Sequence, residues 1–287
     1  MAYEWQFSGF DTYTGMNIDW HERTEDTDSS SAESSESDSA AVAESGSMPP
    51  LTEDGGMPSG GTETALTEEQ LQASEDLNAM FPDYLNGLSL VSSDGTDLTL
   101  DADGNGSFKE YVESLVMSSA QQQLDSGEDL SSYTWLTIEN GTVTAIDYDA
   151  YLEYLGRSKA APAFDALDLS AGENSLFGTE SVDTQHFTEY SLENSTADGT
   201  MADESIIRMM NPLNYIGTEG SDTSQYWRIR FGTRDSDTSV AIPAILATEL
   251  EMNDYDVDFA LAWDQPHGGD YDLDELFTWA DQVVAAE

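Results

Sequence analysis

The sequence predicts an α/β fold, and the observations that predict it lie in the segment 216–287. Two apolar stretches of strand length, Tyr226–Gly232 and Val257–Trp263, alternate with two of helical length, Ala241–Glu251 and Leu273–Ala286. A strand, helix, strand, helix order at this spacing gives a parallel sheet with crossover helices. In such sheets, sites form in the loops beyond the C-terminal ends of the strands.

The rest of the chain reads in order toward that unit. Residues 1–21 carry Trp5, Phe7, Phe10, Tyr13, Met16, Ile18 and Trp20, a density of bulky groups that implies packing against a core. From 22 to 63 the composition turns to Ser, Glu, Asp, Gly and Pro, which bury too little apolar surface to offset ordering entropy, so an acidic disordered insert is expected. Thr67–Gln70 is a capping box, followed by Leu71, Leu77, Met80, Phe81 and Tyr84 at helical spacing. Ser107–Glu110 has the form of a second capping box, opening a helix with Phe108, Tyr111, Val112, Leu115 and Val116 on one face. Trp135–Ile138 and Val143–Ile146 flank Asn140-Gly141, a hairpin signal. Residues 147–157 form another amphipathic helix, so 64–215 is expected to be mostly helical with one small hairpin.

Charge limits the function. The 287 residues hold 58 acidic side chains against 8 basic ones, a formal net charge of -50. Such self-repulsion opposes compaction at ordinary ionic strength. In molar salt the screening length falls to about 3 Å. Because the acid is spread through segments with core patterning, a salt-adapted globular protein is expected rather than an ordinary domain with an acidic tail. An acidic surface repels phosphates, which argues against nucleic acid and anionic membranes as partners. No apolar run approaches the roughly 18 residues of a membrane span. The opening Met1-Ala2-Tyr3-Glu4-Trp5 is no signal peptide, which leaves the cytoplasm of a halophile as the default location. The absence of cysteine removes thiolate metal sites, disulfides and a cysteine nucleophile.

The chemistry-bearing residues fall in the two loops after the strands, Gly232–Thr238 and Asp264–Asp270. Asp235 in the first and His267 in the second follow the Ser…Asp…His chain order of the α/β hydrolases. There the imidazole takes the serine proton, and the carboxylate fixes its tautomer and stabilises its charged form. The alternative is that His267 is an ordinary surface histidine. Lys159 stands out because the chain has only one other lysine, Lys109. It either binds a ligand or pairs with a nearby acid.

Three stretches resemble the bacterial tannases and their esterase relatives: "MAYEWQFSG" at the start, "SKAAPAFDALDLSAGENSLFG" from Ser158 to Gly178, and the long run from Tyr226 to Trp279. The resemblance implies a partial α/β-hydrolase fold, with 1–21 and 216–287 as core and 64–215 as a mainly helical lid. It implies Asp235 as triad acid, His267 as triad base, and Lys159, Glu173 and Asp237 as the groups that hold galloyl hydroxyls. The implied activity is carboxylic ester hydrolysis of gallate or hydroxybenzoate esters, with no cofactor and an aromatic ester as small-molecule partner. The expected Gly-x-Ser-x-Gly is missing: Gly104-Asn105-Gly106-Ser107 and Pro58-Ser59-Gly60 both lack the frame. In the family the serine precedes the "AYEW" segment, so a missing N-terminal half is implied as a further partner, and the chain is expected to be nearly inactive. Loss of a triad nucleophile can lower turnover about a millionfold. The alternatives are a non-catalytic protein that binds a partner through its sheet edge and aromatic N-terminus, and an esterase for simple alkyl esters.

Weaker signals point elsewhere. Asp101–Gly106 imitates the start of an EF-hand loop, but the twelfth position is Val112, which cannot supply the bidentate ligand, so a tight turn is expected. His21 and His186 have no partner at ligand spacing, so no metal site is expected. Arg228, Arg230 and Arg234 alternate along a strand and are expected to pair with acids.

Overall fold

The computed structural model describes residues 1–15, 62–269 and 271–286; Met16, Ile18, Trp20, His21 and nearly all of the expected acidic insert lie outside them. The first helix, α1 (Ala2–Phe7), buries Tyr3, Trp5 and Phe7. The partner-binding alternative looked for exposed N-terminal aromatics, and these three are inside instead. Strand β1 (Thr12–Thr14) pairs antiparallel with β2 (Glu63–Ala65), which brings residues 14 and 63 side by side.

Helix α2 (Glu68–Leu88) starts with the expected capping box. The Gln70 amide donates to Thr67 Oγ1 at 3.2 Å, and the Thr67 amide donates to Gln70 Oε1 at 3.0 Å. Helix α3 (Ser107–Ser126) departs from expectation. Its N-cap is Gly106, at φ 142°, where a Cβ would collide with the Thr99 carbonyl oxygen. Ser107 is already inside the helix, and its hydroxyl donates to the Asp97 carbonyl and accepts from the Thr99 amide, so no capping box with Glu110 forms. The preceding loop is the expected tight turn, with Asp101 Oδ1 accepting from the Asp103 and Asn105 amides at 2.9 Å each.

Trp5, Phe81, Phe108 and Tyr148 pack together where α1, α2, α3 and the next helix meet, with ring centroids 5.3–6.4 Å apart. Burying one such side chain contributes about 2 kcal/mol. Strands β3 (Leu136–Glu139) and β4 (Thr142–Ile146) form the expected hairpin, with Asn140 and Gly141 both at positive φ as a two-residue turn of this twist requires. Helix α4 (Tyr148–Leu155) is capped by Asp147, which accepts from the Ala150 amide. Short helices α5 (Gly172–Leu176), α6 (Glu189–Glu193) and α7 (Glu204–Met210) follow.

The chain then enters its α/β unit: β5 (Tyr226–Gly232), α8 (Ala241–Met252), β6 (Asp256–Ala262) and α9 (Leu273–Ala286). The two strands pair in parallel, Tyr226 opposite Asp256 and Gly232 opposite Ala262. Apolar Ala241, Ala244, Ile245, Ala247 and Leu250 bury α8 against both strands and α1. Helix α3 crosses β6, and the buried Ser119 hydroxyl donates to the Leu261 carbonyl at 2.8 Å. Arg228 and Arg230 do pair with acids. Arg228 donates twice to Asp272, and Arg230 bonds both Asp258 and Asp272. Among the described residues no helix is long and apolar enough to cross a membrane.

Candidate active site

Because β5 and β6 are parallel and in register, they end together, and the Asp and His loops leave from adjacent points. Contact between the loops depends on Gly232. A Cβ there would drive into the carbonyl oxygens of Gln265 and Pro266. With glycine present, the Thr233 amide donates to the Ala262 carbonyl at 2.9 Å and the Arg234 amide to the Gln265 carbonyl at 3.0 Å. In return the Asp264 amide donates to Thr233 Oγ1 at 2.7 Å. Tyr151, a phenol kept protonated by burial, donates from below to the Thr233 carbonyl at 2.5 Å. Tyr271 fixes the other loop by donating to the Pro266 carbonyl at 2.8 Å.

These ties place Asp235 Oδ2 2.9 Å from His267 Nδ1. Asp235 is buried, and its other oxygen accepts from the Asp237 and Thr238 amides at 2.9 Å each. A carboxylate only accepts, so Nδ1 carries the proton and Nε2 is the basic nitrogen. The imidazole side chain is 40% exposed. Its pKa is raised above 6.5, first by the Asp235 hydrogen bond, with burial opposing; the charge of Asp237 adds to the rise and that of Lys159 reduces it. Because folding raises this value, the pair stabilises the folded chain fully below pH 6.5, and that contribution fades as pH rises through the folded value.

Lys159, Glu173 and Asp237 come from three separate segments. Lys159 Nζ lies 3.5 Å from Glu173 Oε1 and 3.5 Å from Asp237 Oδ1, with all three side chains partly open to solvent. The ammonium also sits 4.9 Å from the centroid of the Phe164 ring. Tyr3 holds the lysine's backbone in place. Its hydroxyl accepts from the Lys159 amide at 3.0 Å and donates to the Ser236 carbonyl at 2.8 Å, so it joins α1 to the Asp loop. Burial pushes the Tyr3 phenol up to about 12, so it remains a donor at neutral pH.

The structure thus brings together all five site residues singled out in the sequence. Asp235 and His267 form one hydrogen-bonded pair, and Lys159, Glu173 and Asp237 form one ion cluster, with Asp237 only two residues beyond Asp235. Sequence reasoning missed Tyr3, Tyr151, Thr233 and Tyr271, whose roles depend on long-range contacts that no local spacing encodes. Arg234, expected to pair with an acid, does so with Asp264, at 3.9 Å and partly exposed.

Two substitutions test how the pair is built. Asp235→Asn removes the charge that raises the imidazole, so the His267 titration midpoint, followed by its ring-proton NMR signals, falls toward 6.5. Gly232→Ala should lower the same midpoint by pushing the loops apart, and should destabilise the chain by about 1–3 kcal/mol. An unchanged midpoint in Gly232→Ala would show that the loops tolerate separation.

Neither a protein-family model nor a curated protein matches the chain. Solved structures do. The tannin acyl hydrolase of Lactobacillus plantarum, in its native form, is 40% identical with a TM-score of 0.81, over 98% of this chain and 52% of that one. A tannin acyl hydrolase in complex with ethyl gallate is 39% identical with a TM-score of 0.80, over 98% and 52%. The tannase of Fusobacterium nucleatum is 39% identical with a TM-score of 0.78, over 99% and 55%. The chain therefore spans about half the length of these relatives, and the likeness to them fits an α/β-type fold.

Proposed function

The chain is a C-terminal, tannase-like segment in sequence and fold, and from that premise we propose that it carries the proton-relay and acid-recognition half of an aromatic ester hydrolase. His267 accepts the proton of a serine nucleophile and returns it to the leaving alcohol, while Asp235 holds the tautomer. Acylation of the serine and hydrolysis of the acyl-enzyme complete the cycle. The serine belongs to a part of the complete enzyme that this chain does not cover, and the chain alone is nearly inactive. Lys159, Glu173 and Asp237 hold adjacent ring hydroxyls, the ammonium donating and the carboxylates accepting. The helical region 64–215 serves as lid over a partial hydrolase core built from 1–21 and 216–287. Packing of α1 on α8 supports treating those two segments as one core.

The observation that carries this reading is the Asp235–His267 hydrogen bond beside a lysine set between two carboxylates. The relative bound to ethyl gallate supports a galloyl acid over a simple alkyl ester. The test is calorimetric titration of the chain with methyl gallate and methyl benzoate in molar KCl, where its charge is screened. Methyl gallate should bind more tightly. Lys159→Met should weaken it about 10- to 100-fold, the worth of a charged hydrogen bond, without affecting the benzoate. Equal affinity for the two esters, or a silent Lys159→Met, would refute recognition of the hydroxyls.

A further inference from the structure

Outside that site the molecule holds a second Asp–His pair, this one in line with a serine. His186 is fully buried, with Nδ1 2.7 Å from Asp165 Oδ1 and Nε2 2.8 Å from Ser195 Oγ. Carboxylate, imidazole and hydroxyl in this order have the hydrogen-bonding form of an activated nucleophile. The surroundings point to a different role. The Ser195 hydroxyl also lies 2.9 Å from the Ala197 carbonyl and 3.2 Å from the Leu167 carbonyl, and it accepts from the Ala197 amide. Gly199 closes the imidazole edge, where even a Cβ would come within 2.9 Å of Nε2. A substrate has no approach to a base sealed in this way.

The other end of the line shows what the arrangement does. Asp165 Oδ2 accepts from the Phe187 amide, the Thr188 amide and the Thr188 hydroxyl at 2.7–2.9 Å. Asp165 Oδ1 accepts from Asn174 Nδ2 at 2.7 Å as well as facing His186. Asn174 is fully buried; its Oδ1 accepts from the Ala166 amide, and its Nδ2 also donates to the Gln185 carbonyl. Each of these two residues has a site residue or its support as neighbour. Asn174 follows Glu173 on α5, a five-residue helix with no side-chain cap. A helix that short does not hold itself in water. Asp165 follows Phe164, over whose ring the Lys159 ammonium lies. One buried carboxylate therefore fixes the neighbours of both members of the Lys159–Glu173 pair.

We propose that Asp165 is a positioning residue for hydroxyl recognition, with Asn174 as its link to Glu173, while the His186–Ser195 arm contributes to folding stability alone. The inference rests on the galloyl reading and deepens it. The Lys159–Glu173 distance, and with it the preference for aromatic acids with adjacent hydroxyls, is set from inside the helical region. Asp165→Asn keeps the size but replaces one acceptor oxygen with a donor amide, which must then face donors that now point at the carboxylate.

The experiment measures the ratio of methyl gallate to methyl benzoate affinity, together with amide ¹H–¹⁵N NMR spectra, for the parent chain and four variants in molar KCl. Asp165→Asn should narrow the ratio about tenfold, equivalent to about 1.4 kcal/mol, and shift the Glu173, Asn174 and Lys159 amide signals. Asn174→Ser should do the same with the Asp165 hub kept, and it decides the matter if Asp165→Asn does not fold. Ser195→Ala should leave the ratio unchanged even where it lowers stability. If Lys159→Met narrows the ratio while both Asp165→Asn and Asn174→Ser leave it intact, the positioning role is overturned and the galloyl reading stands. If Lys159→Met also leaves it intact, both are overturned. Equal narrowing by Ser195→Ala would reduce the network to general structural support and overturn the specific role.

Discussion

Joined to the part of the Lactobacillus plantarum enzyme that it does not cover, the chain is expected to hydrolyse methyl gallate, and His267→Ala in that chimera to lower kcat about 10⁴-fold or more. At 40% identity and a TM-score of 0.81 the two backbones are alike enough for the exchange to be practical. The size of the expected effect follows from the geometry. Asp235 spends one oxygen on His267 and the other on two amides, so the imidazole is held in one tautomer with Nε2 as the only basic nitrogen available to a nucleophile. Asp235→Asn should fall nearly as far, because an amide facing Nδ1 favours the wrong tautomer. The loss should appear in kcat, with methyl gallate affinity little changed, since Lys159, Glu173 and Asp237 remain. A folded chimera that turns over equally well with alanine at 267 would remove His267 from the chemistry.

The second large effect is on stability. Arg157→Met should destabilise the chain by about 3–5 kcal/mol, the usual result of removing one partner of a buried ion pair. The Arg157 side chain is fully buried, and it donates to Glu4 at 2.9 Å, to the Phe7 carbonyl at 3.1 Å and to Ser74 Oγ at 3.2 Å. Its Nε donates to the Lys159 carbonyl at 2.7 Å, so it also braces the lysine of the site. Without it, Glu4 is left as an unpaired buried charge on α1. Chemical denaturation in molar KCl measures the loss. The double variant Glu4→Leu/Arg157→Met should be less destabilised than Arg157→Met alone, because no charge is then stranded. A loss below about 1 kcal/mol for Arg157→Met would mean that water reaches the pair.

The contrast between those two sites shows what the sequence could reveal. The α/β unit was legible because strand and helix periods alternate cleanly over 226–286, and the Asp and His loops follow directly from strand ends. The hairpin was legible because Asn140-Gly141 suits positive φ at both positions. Ser107 misled because Gly106, with no Cβ to clash, takes the N-cap itself and leaves the serine hydroxyl to bond Asp97 and Thr99. Lys159 was visible through composition alone, since lysine is so rare in this chain. Glu173 and Asp237 came only from resemblance, because two acids among 58 carry no local signal. The Arg157–Glu4 pair spans 153 residues and the Asp165–His186 pair 21, with no periodic spacing to mark either. His186 reads in the sequence as a histidine without a metal-ligand partner. In the fold its partners are a carboxylate and a hydroxyl that hold structure together.

One small ring is expected to be held between Lys159, Glu173 and Asp237 beside His267, and a crystal structure of the chain grown with gallate in molar salt is the decisive test. The expected density is an aromatic acid with two adjacent hydroxyls within about 3.2 Å of Lys159 Nζ and the two carboxylates, its own carboxyl directed toward His267 Nε2. Gallate bound elsewhere, or a Lys159 cluster left without ligand at saturating gallate, would contradict it.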